Sequence, residues 1–337
     1  MSEMKPTKKV ALTATVIIPV YNGAQTLPAC LQALQQQNRP PEEIIVVDDG
    51  STDPSVAIAN EFGVRVVSQP NAGPAAARNL GARLATGNIL LFTDADCAPA
   101  IDWTEQMLAP FTDSRVAGAK GVYRSQQQAL VARFVQQEYQ DRYDRMAGQT
   151  SIDFVDTYSA AYRRTVFLAA GGFDTRFPTA SVEDQELSFR LAEQGQRLVY
   201  LPQAMVYHQH DQTIGEYVRR KYQIGYWKAL VTRAHPDKLI ADSHTPQVLK
   251  GQMGLAALGG LLLLSQLVGK FRSRLTTVLA LAAWLVLLLS GQKFYQKLWQ
   301  RDGQVLLVAP WLIFSRAWAL GAGFLIGNII FFLKKKA

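Results

Sequence analysis

Cysteine is nearly absent from this chain of 337 residues. Cys30 and Cys97, the two present, stand in apolar surroundings without CxxC spacing. That excludes a disulfide framework, argues against a structural zinc site and fits a reducing compartment. Acids are almost missing from the last part of the chain. Residues 251–337 hold ten Lys and Arg but one acid, Asp302, whereas the first 250 residues hold 25 basic and 26 acidic side chains. The net charge of +8 therefore arises in the most hydrophobic region. Such a split marks membrane-flanking segments and argues against nucleic acid as a partner. One acid is also too few for the water-facing surface of a soluble helical domain. A leader is imitated but not expected. Lys8 and Lys9 precede the apolar stretch Val10–Val20, yet that stretch is rich in β-branched residues and runs into Pro-Val-Tyr-Asn-Gly without a small-residue cleavage site. It reads as a first buried strand.

What is present is a regular alternation of strand and helix patterns. Val16–Pro19 reads as a strand, followed by a helix over Ala29–Gln37 with Thr26 as its cap. Ile44–Asp48 is a short continuous apolar run, as expected of a strand buried on both faces. Asp53-Pro54 supplies a cap and a first-turn proline for a helix that Gly63 closes. Val64–Val67 reads as a third strand, Pro74–Ala85 as a helix and Ile89–Phe92 as a fourth strand. Repeated β-α-β units of this length predict a parallel sheet covered by helices, with ligands at the carboxyl ends of the strands. Polar residues collect at those ends: Tyr21-Asn22, Asp48-Asp49 and Asp94-Ala95-Asp96.

Beyond residue 98 the pattern is mixed. Leu130–Arg145 and Glu186–Gln194 read as helices, the second capped by Gly195, and Arg197–Leu201 as a strand. Over Ile214–Leu230, Tyr217, Tyr222, Tyr226 and Trp227 interleave with Arg219, Arg220, Lys221 and Lys228. An aromatic-basic helix suits a membrane surface or an anionic group of a substrate. Three apolar runs follow: Gly251–Val268, interrupted by Gly259-Gly260; Leu275–Leu289; and Val305–Leu333, which carries Arg316 in its middle. A span takes about 20 residues. The charge clusters Lys270, Arg272, Arg274 and Lys334–Lys336 fall on one side if 275–289 and 305–333 are the spans and 251–268 is embedded. The cluster Lys293, Lys297 and Arg301 then falls on the other side. An intramembrane arginine is costly, so the third run is expected to break or to lie partly at the surface.

Six motifs occur in order: Val16-Ile-Ile-Pro-Val-Tyr-Asn-Gly23, Val46-Val-Asp-Asp-Gly-Ser-Thr-Asp53, Asn71-Ala-Gly-Pro-Ala-Ala-Ala-Arg-Asn-Leu-Gly81, Thr93-Asp-Ala-Asp96, Gly171-Gly-Phe-Asp174 and Glu183-Asp184. Together they resemble a family 2 inverting glycosyltransferase of the membrane-attached bacterial type, over about residues 10–230. The resemblance implies an α/β fold: a GT-A, Rossmann-like, mostly parallel sheet with flanking helices. A catalytic domain at 1–235 would comprise a nucleotide half at about 10–97 and an acceptor half at about 98–235. A C-terminal helical membrane region with two to three hydrophobic segments would occupy 236–337. It also implies a nucleotide-sugar donor, Mn²⁺ or Mg²⁺, a lipid-linked or membrane-proximal glycan acceptor in contact with membrane lipid, and a place at the cell (inner) membrane with the catalytic domain on the cytoplasmic face.

The physical reading runs beside the resemblance. A departing diphosphate needs its charge offset, and hard divalent cations take carboxylate oxygens. Alternate residues of an extended segment point the same way, so Asp94 and Asp96 can face one ligand. By resemblance Asp96 is the metal ligand, Asp94 its helper or a ribose contact, Ala95 lies between them at the donor, and Asp49 accepts a hydrogen bond from the base. Pro19 and Tyr21 end the first strand, where an aromatic can cover a base ring. Arg78 is expected either at the nucleotide or paired with an acid. Inverting transfer needs a base for the acceptor hydroxyl. Asp184 is that candidate, its ionised form favoured by a helix start, with Glu183 in support. Of His208 and His210, His208 fits better as a third metal ligand. There is no Gln-x-x-Arg-Trp motif, which argues against a processive polymer synthase, and no Gly-rich phosphate loop after the first strand, which argues against a nucleotidyltransferase. A polyprenyl-phosphate sugar transferase, whose acceptor needs no base, and a non-catalytic membrane scaffold are the alternatives.

Overall fold

The computed structural model describes residues 11–179, 181–239, 242–243, 245–267 and 273–334. Lys8, Lys9, Val10, Lys270, Arg272, Lys335 and Lys336, used in the leader and topology readings, lie outside the described residues. Strands β1 (Ala14–Val20), β2 (Glu43–Asp48), β3 (Arg65–Ser68) and β4 (Ile89–Phe92) lie parallel in the order β3-β2-β1-β4. Helices α1 (Leu27–Gln35), α2 (Ser55–Glu61) and α3 (Pro74–Leu84) connect them. Val16, Ile17 and Ile18 are fully buried, so β1 is covered on both faces. Burial of each such side chain is worth about 1.5–3 kcal/mol against exposure. α1 starts two residues earlier than its pattern suggests. Thr26 stands at its N-cap position, but its side chain accepts no capping bond; its hydroxyl donates to the Gly23 carbonyl instead. Asp53 accepts from the Ser55 amide at 3.0 Å and also from the Ala24 amide at 2.9 Å, so it ties the loop after β1 to the start of α2.

The second half adds β5 (Cys97–Pro99), α4 (Trp103–Leu108), β6 (Val116–Arg124), α5 (Leu130–Met146), β7 (Ala160–Arg163), α6 (Arg164–Ala169), α7 (Glu183–Glu193), β8 (Arg197–His208) and α8 (Ile214–Ala234). The sheet continues from β4 as β7-β6-β8-β5, with β7 and β5 antiparallel to their neighbours. β8 is far longer than its sequence pattern, which breaks at Pro202. The β6–β8 register shifts between Lys120↔Tyr200 and Val122↔Met205. Pro202 falls in that irregularity, where no ladder N–H is required of it.

Four helices close the chain: α9 (Gln247–Ser265), α10 (Arg274–Leu289), α11 (Gln292–Asp302) and α12 (Ala309–Lys334). Two of them, over Gln247–Ser265 and Ala309–Leu333, are long and apolar enough to cross a membrane. α10 has 16 residues and reaches such a length only with the segment Gln292–Leu307, from which it is bent by 45°. The run expected to be embedded thus supplies one of the two long helices. α9 passes through Gly259-Gly260 unbroken. A side chain at 259 would collide with the Trp284 indole and one at 260 with Trp318. The two glycines are notches for rings.

α12 is also continuous. Arg316 does not break it, because its guanidinium turns inward to Glu138 of α5 and to Gln252 of α9. Lys221 and the Tyr217 hydroxyl of α8 reach the same Glu138 carboxylate, at 2.8 and 3.0 Å. One buried acid thereby joins α5, α8 and α12, and Arg316 extends the link to α9. α8 lies against α12 at backbone distance. A Cβ at Gly225 would strike the Leu320 carbonyl, and Cβ atoms at Gly323 and Gly327 would strike the carbonyls of Tyr222 and Tyr226. This is the small-residue packing by which apolar helices approach closely.

Candidate active site

Because β1, β2 and β4 are parallel, their carboxyl ends share one edge and the loops after them converge. Pro19 pairs with Val47 near the end of β1, and Tyr21 beyond it is 55% exposed. Asn22 takes a left-handed conformation, and its Oδ1 accepts the Thr52 amide at 2.8 Å, so the β1 and β2 loops hold each other. Asp49 is 3% exposed. Its carboxylate accepts from Gln69 Nε2 at 2.7 Å and from the amides of Ala72 and Gly73, each at 2.9 Å. Three of its roughly four lone-pair positions are thus taken by the loop before α3.

Asp94 and Asp96 divide rather than converge. The Cys97 amide donates to the Asp94 carbonyl at 3.0 Å, so this segment is a turn and the alternation of an extended strand does not apply. Ala95 sits in the turn, partly exposed. Asp94 accepts from Arg78 Nη2 at 2.7 Å. The Asp96 side chain, 50% exposed, lies 3.2 Å from His208 Nε2. Sheet register produces that pair, since β5 and β8 align Cys97 with His208. His208 packs on the Tyr123 ring, and its buried Nδ1 has no partner. Oxygen of Asp96, nitrogen of His208 and sulfur of Cys97 lie within 4.8 Å of one another; Asp94 is outside that group. Burial, with the charges of Asp94 and Asp96, pushes the Cys97 thiol well up, so it stays protonated. A carboxylate and an imidazole fit Mn²⁺ better than Mg²⁺, which takes oxygen ligands, and a neutral thiol beside a hard cation is not a ligand. His210, by contrast, faces Gln136 at 3.1 Å, and burial pulls it down to about 3.

Arg78 is 2% exposed and bridges Asp94 and Glu183, the latter at 2.9 Å from Nη1. Pairing with an acid is one of the two places expected for it. The same helix holds the Gly-Gly-Phe-Asp turn. Asn79 accepts the Phe173 amide and donates to the Phe173 carbonyl, both at 2.8 Å. α7 begins three residues earlier than its apolar repeat, so Glu183 and Asp184 lie inside its first turn and Val182 is the cap. Glu183 is committed to Arg78 and to the Ser181 amide. Asp184 accepts from the Gln185 amide at 2.7 Å and, weakly, the Thr157 amide at 3.4 Å. Its carboxyl is pushed up to about 7 by burial and by the charge of Glu183, against the opposing pull of Arg78. The helix start was expected to hold this acid ionised. Desolvation outweighs that contribution.

Asp94, Glu183 and Asp184 line a cavity of about 940 Å³ that continues between α5, α8, α9 and α12. Sequence reasoning missed its aromatic wall of Tyr123, Tyr139 and Tyr158. The tyrosines come from β6, α5 and the turn before β7, and no sequence spacing links them. Lys120 is also buried beside these rings and paired with Asp156, and burial holds it well below the usual lysine range.

The description "Glycosyl transferase family group 2" matches residues 114–326, and "Glycosyl transferase family 2" matches residues 15–169. The chain belongs to the family 2 glycosyltransferases. It is 31% identical over 234 residues to a pre-mycofactocin glycosyltransferase of Mycobacterium tuberculosis, covering 66% of this chain and 48% of that protein. It is 26% identical over 229 residues to the O-antigen chain rhamnosyltransferase RfbN of Salmonella typhimurium, covering 64% and 72%. The chain therefore spans about half the length of the first of these curated relatives. Its fold is that of the mannosyltransferase PcManGT from Pyrobaculum calidifontis, solved with GDP-Man and Mn²⁺, at a TM-score of 0.57 and 19% identity over 99% of this chain and 92% of that one. Glucosyl-3-phosphoglycerate synthase of Mycobacterium tuberculosis has a TM-score of 0.50 at 19% identity, over 65% and 80%. The mixed sheet with flanking helices is thus a GT-A fold in a member of this family.

Proposed function

We propose that the chain transfers a sugar from a nucleotide-sugar donor to a hydroxyl of a lipid-linked or membrane-proximal glycan, with inversion, in cell-surface or exopolysaccharide synthesis. One observation carries this reading: Asp184 faces a large cavity with its carboxyl held near 7, where a base is half-ionised and strong enough to take a hydroxyl proton. Glu183 cannot compete for that role, because Arg78 holds it.

The donor lies across the strand ends. Tyr21 is free to cover the base, with Pro19 fixing the strand end beneath it, and Ala95 leaves room between the two acids. Asp49 keeps the loop at 69–73 in shape and has one lone pair left for the base. Asp96 and His208, with Asp94 near them, would hold Mn²⁺ or Mg²⁺, which offsets the charge of the leaving diphosphate. Arg78 fixes Asp94 relative to Glu183, so the donor side and the acceptor side keep one spacing. The anomeric carbon is then attacked from the Asp184 side as the diphosphate leaves from the Asp96 side. We place the catalytic region, about 1–235, on the cytoplasmic face of the inner membrane, with 236–337 as its membrane region. The supporting facts are the two long apolar helices and the basic excess around them.

The purified full chain with Mn²⁺ and a panel of nucleotide sugars tests this. Donor hydrolysis is expected for one sugar, with Asp96→Ala inactive. Absence of hydrolysis, transfer and nucleoside diphosphate binding would overturn it. Mass spectrometry of lipid-linked glycans from cells carrying Asp184→Asn should show a missing intermediate; unchanged glycans would transfer support to an acceptor that needs no base.

A further inference from the structure

The aromatic-basic helix α8 has no part in the donor chemistry, yet it forms one wall of the cavity that Asp184 faces. Ile224 and Lys228 stand four residues apart on it, so they share a face, and both line the cavity. Lys228 has three N–H donors. One goes to the Thr245 hydroxyl at 2.8 Å. Besides burial, the charges of Lys250 and Arg142 oppose the positive charge of Lys228, and that of Asp242 supports it. Asp242 also accepts the Thr245 amide. Burial pushes Lys228 down to about 8, so its charge is held at a cost that an anion in the cavity would remove.

Further cations line the cavity, among them Arg220, Lys221 and Arg316, and another part of its wall is apolar. Val248, Leu249 and Met253 of α9 and Leu320 and Phe324 of α12 line the same cavity. Among the described residues, α9 and α12 are the two helices long and apolar enough to cross a membrane. One continuous space thus offers a base, a cationic group backed by a hydroxyl, and an apolar surface shared with membrane helices. A soluble glycan would leave the apolar wall and the lysine unused. A plain lipid would leave the lysine unused.

We propose that this cavity is the acceptor site for a phosphate-bearing lipid, with Lys228 and Thr245 holding the phosphate and the α8, α9 and α12 wall holding the start of the chain. The proposal rests on Asp184 acting on the acceptor hydroxyl; the sugar attached to the phosphate then presents that hydroxyl. No covalent step occurs at Lys228 itself.

The test is equilibrium binding to the full chain in detergent, in EDTA so that no cation at Asp96 and His208 contributes. The probes are a polyprenyl diphosphate, the corresponding polyprenol and inorganic diphosphate. The polyprenyl diphosphate should bind at least tenfold more tightly than the polyprenol, and inorganic diphosphate should not displace it. Displacement by inorganic diphosphate alone would mean a free-phosphate site and would overturn the lipid assignment. Equal affinity for the two lipids would overturn the phosphate assignment without using any variant. Lys228→Met should lose at least tenfold for the polyprenyl diphosphate, keep its polyprenol affinity and keep nucleotide-sugar binding; Lys228→Arg should restore most of the loss. An unchanged affinity in Lys228→Met also sinks the proposal. Asp184→Asn should bind the lipid normally, so loss of transfer in that variant tests the catalytic reading separately.

Discussion

Replacing Asp184 by Asn should move catalysis and stability in opposite directions. The wild-type carboxyl is held at about 7 against an ordinary 3.8, chiefly by burial and then by Glu183. The fold therefore favours the protonated form. Below about pH 4 the folded and unfolded chains both carry the proton, and the full stability is present. Between about 4 and 7 the unfolded chain has released the proton while the folded chain keeps it, so stability falls as pH rises. Above the folded value the loss is complete, at an upper bound of roughly 4 kcal/mol. Asparagine resembles the protonated acid permanently and still accepts the Gln185 amide. The variant should match wild type near pH 4 and gain steadily on it up to about pH 7. At ~2–4 °C per kcal/mol for a large domain, the gap near pH 8 should be at most roughly 8–16 °C. Thermal unfolding of the solubilised full chain between pH 4 and 8 measures it. Over the same range transfer should fall by about 10²–10⁴-fold at every pH, as when a general base is removed. In wild type the rate should rise with pH up to about 7 and then level. A gap that does not depend on pH, or a variant less stable than wild type at pH 8, would refute the claim that the fold disfavours the carboxylate. Retained transfer would refute its role as base.

Other residues give sharper tests of their neighbours. His208→Ala should weaken Mn²⁺ binding by at least about tenfold, read by electron paramagnetic resonance titration, because it removes a ligand that β8 aligns with Asp96. Arg78→Gln removes the cation that opposes the rise of Asp184, so the acid limb of the rate profile should move to higher pH while the maximal rate drops. An unmoved limb would mean that Arg78 acts only through its ion pairs with Asp94 and Glu183. Glu138→Gln leaves Lys221 and Arg316 without their shared carboxylate and should cost roughly 3–5 kcal/mol, seen as a lowered unfolding temperature. Gly323→Val should separate α8 from α12 and lower the yield of monodisperse protein, whereas the same change at Gly303, which has open space around it, should not.

The parallel first half of the sheet was legible in the chain because its signals are local. Val16–Ile18, Ile44–Val47 and Ile89–Phe92 are short apolar runs bounded by turn residues, and β-α-β spacing then fixes a parallel order without any long-range information. The boundaries that slipped did so where a side chain served two loops. Thr26 and Asp53 look like simple caps, but one turned to Gly23 and the other also reached Ala24. The acids of the site were legible as residue types, and their surroundings were not. The family resemblance assigned the metal to Asp96 and a helper role to Asp94; the physical difference between them comes from the turn at 94–97 and the alignment of β5 with β8, which put Asp96 beside His208 and leave Asp94 on Arg78. Asp184 looks like an ionised acid at a helix start, and only its burial beside Glu183 reverses that.

The C-terminal region shows the same division. Sequence alone determined that it is apolar, basic and nearly free of acids, because hydropathy and charge are additive along a chain. It could not say that Arg316 meets Glu138, that Gly259 and Gly260 admit two indoles, or that α8 belongs against α12. Those are contacts between segments far apart in sequence, and whether a buried charge is costly or a glycine is a break depends on the partner that tertiary packing brings. The cavity that joins Asp184 to Lys228 is of that kind: no spacing encodes it, and four helices have to meet before it exists.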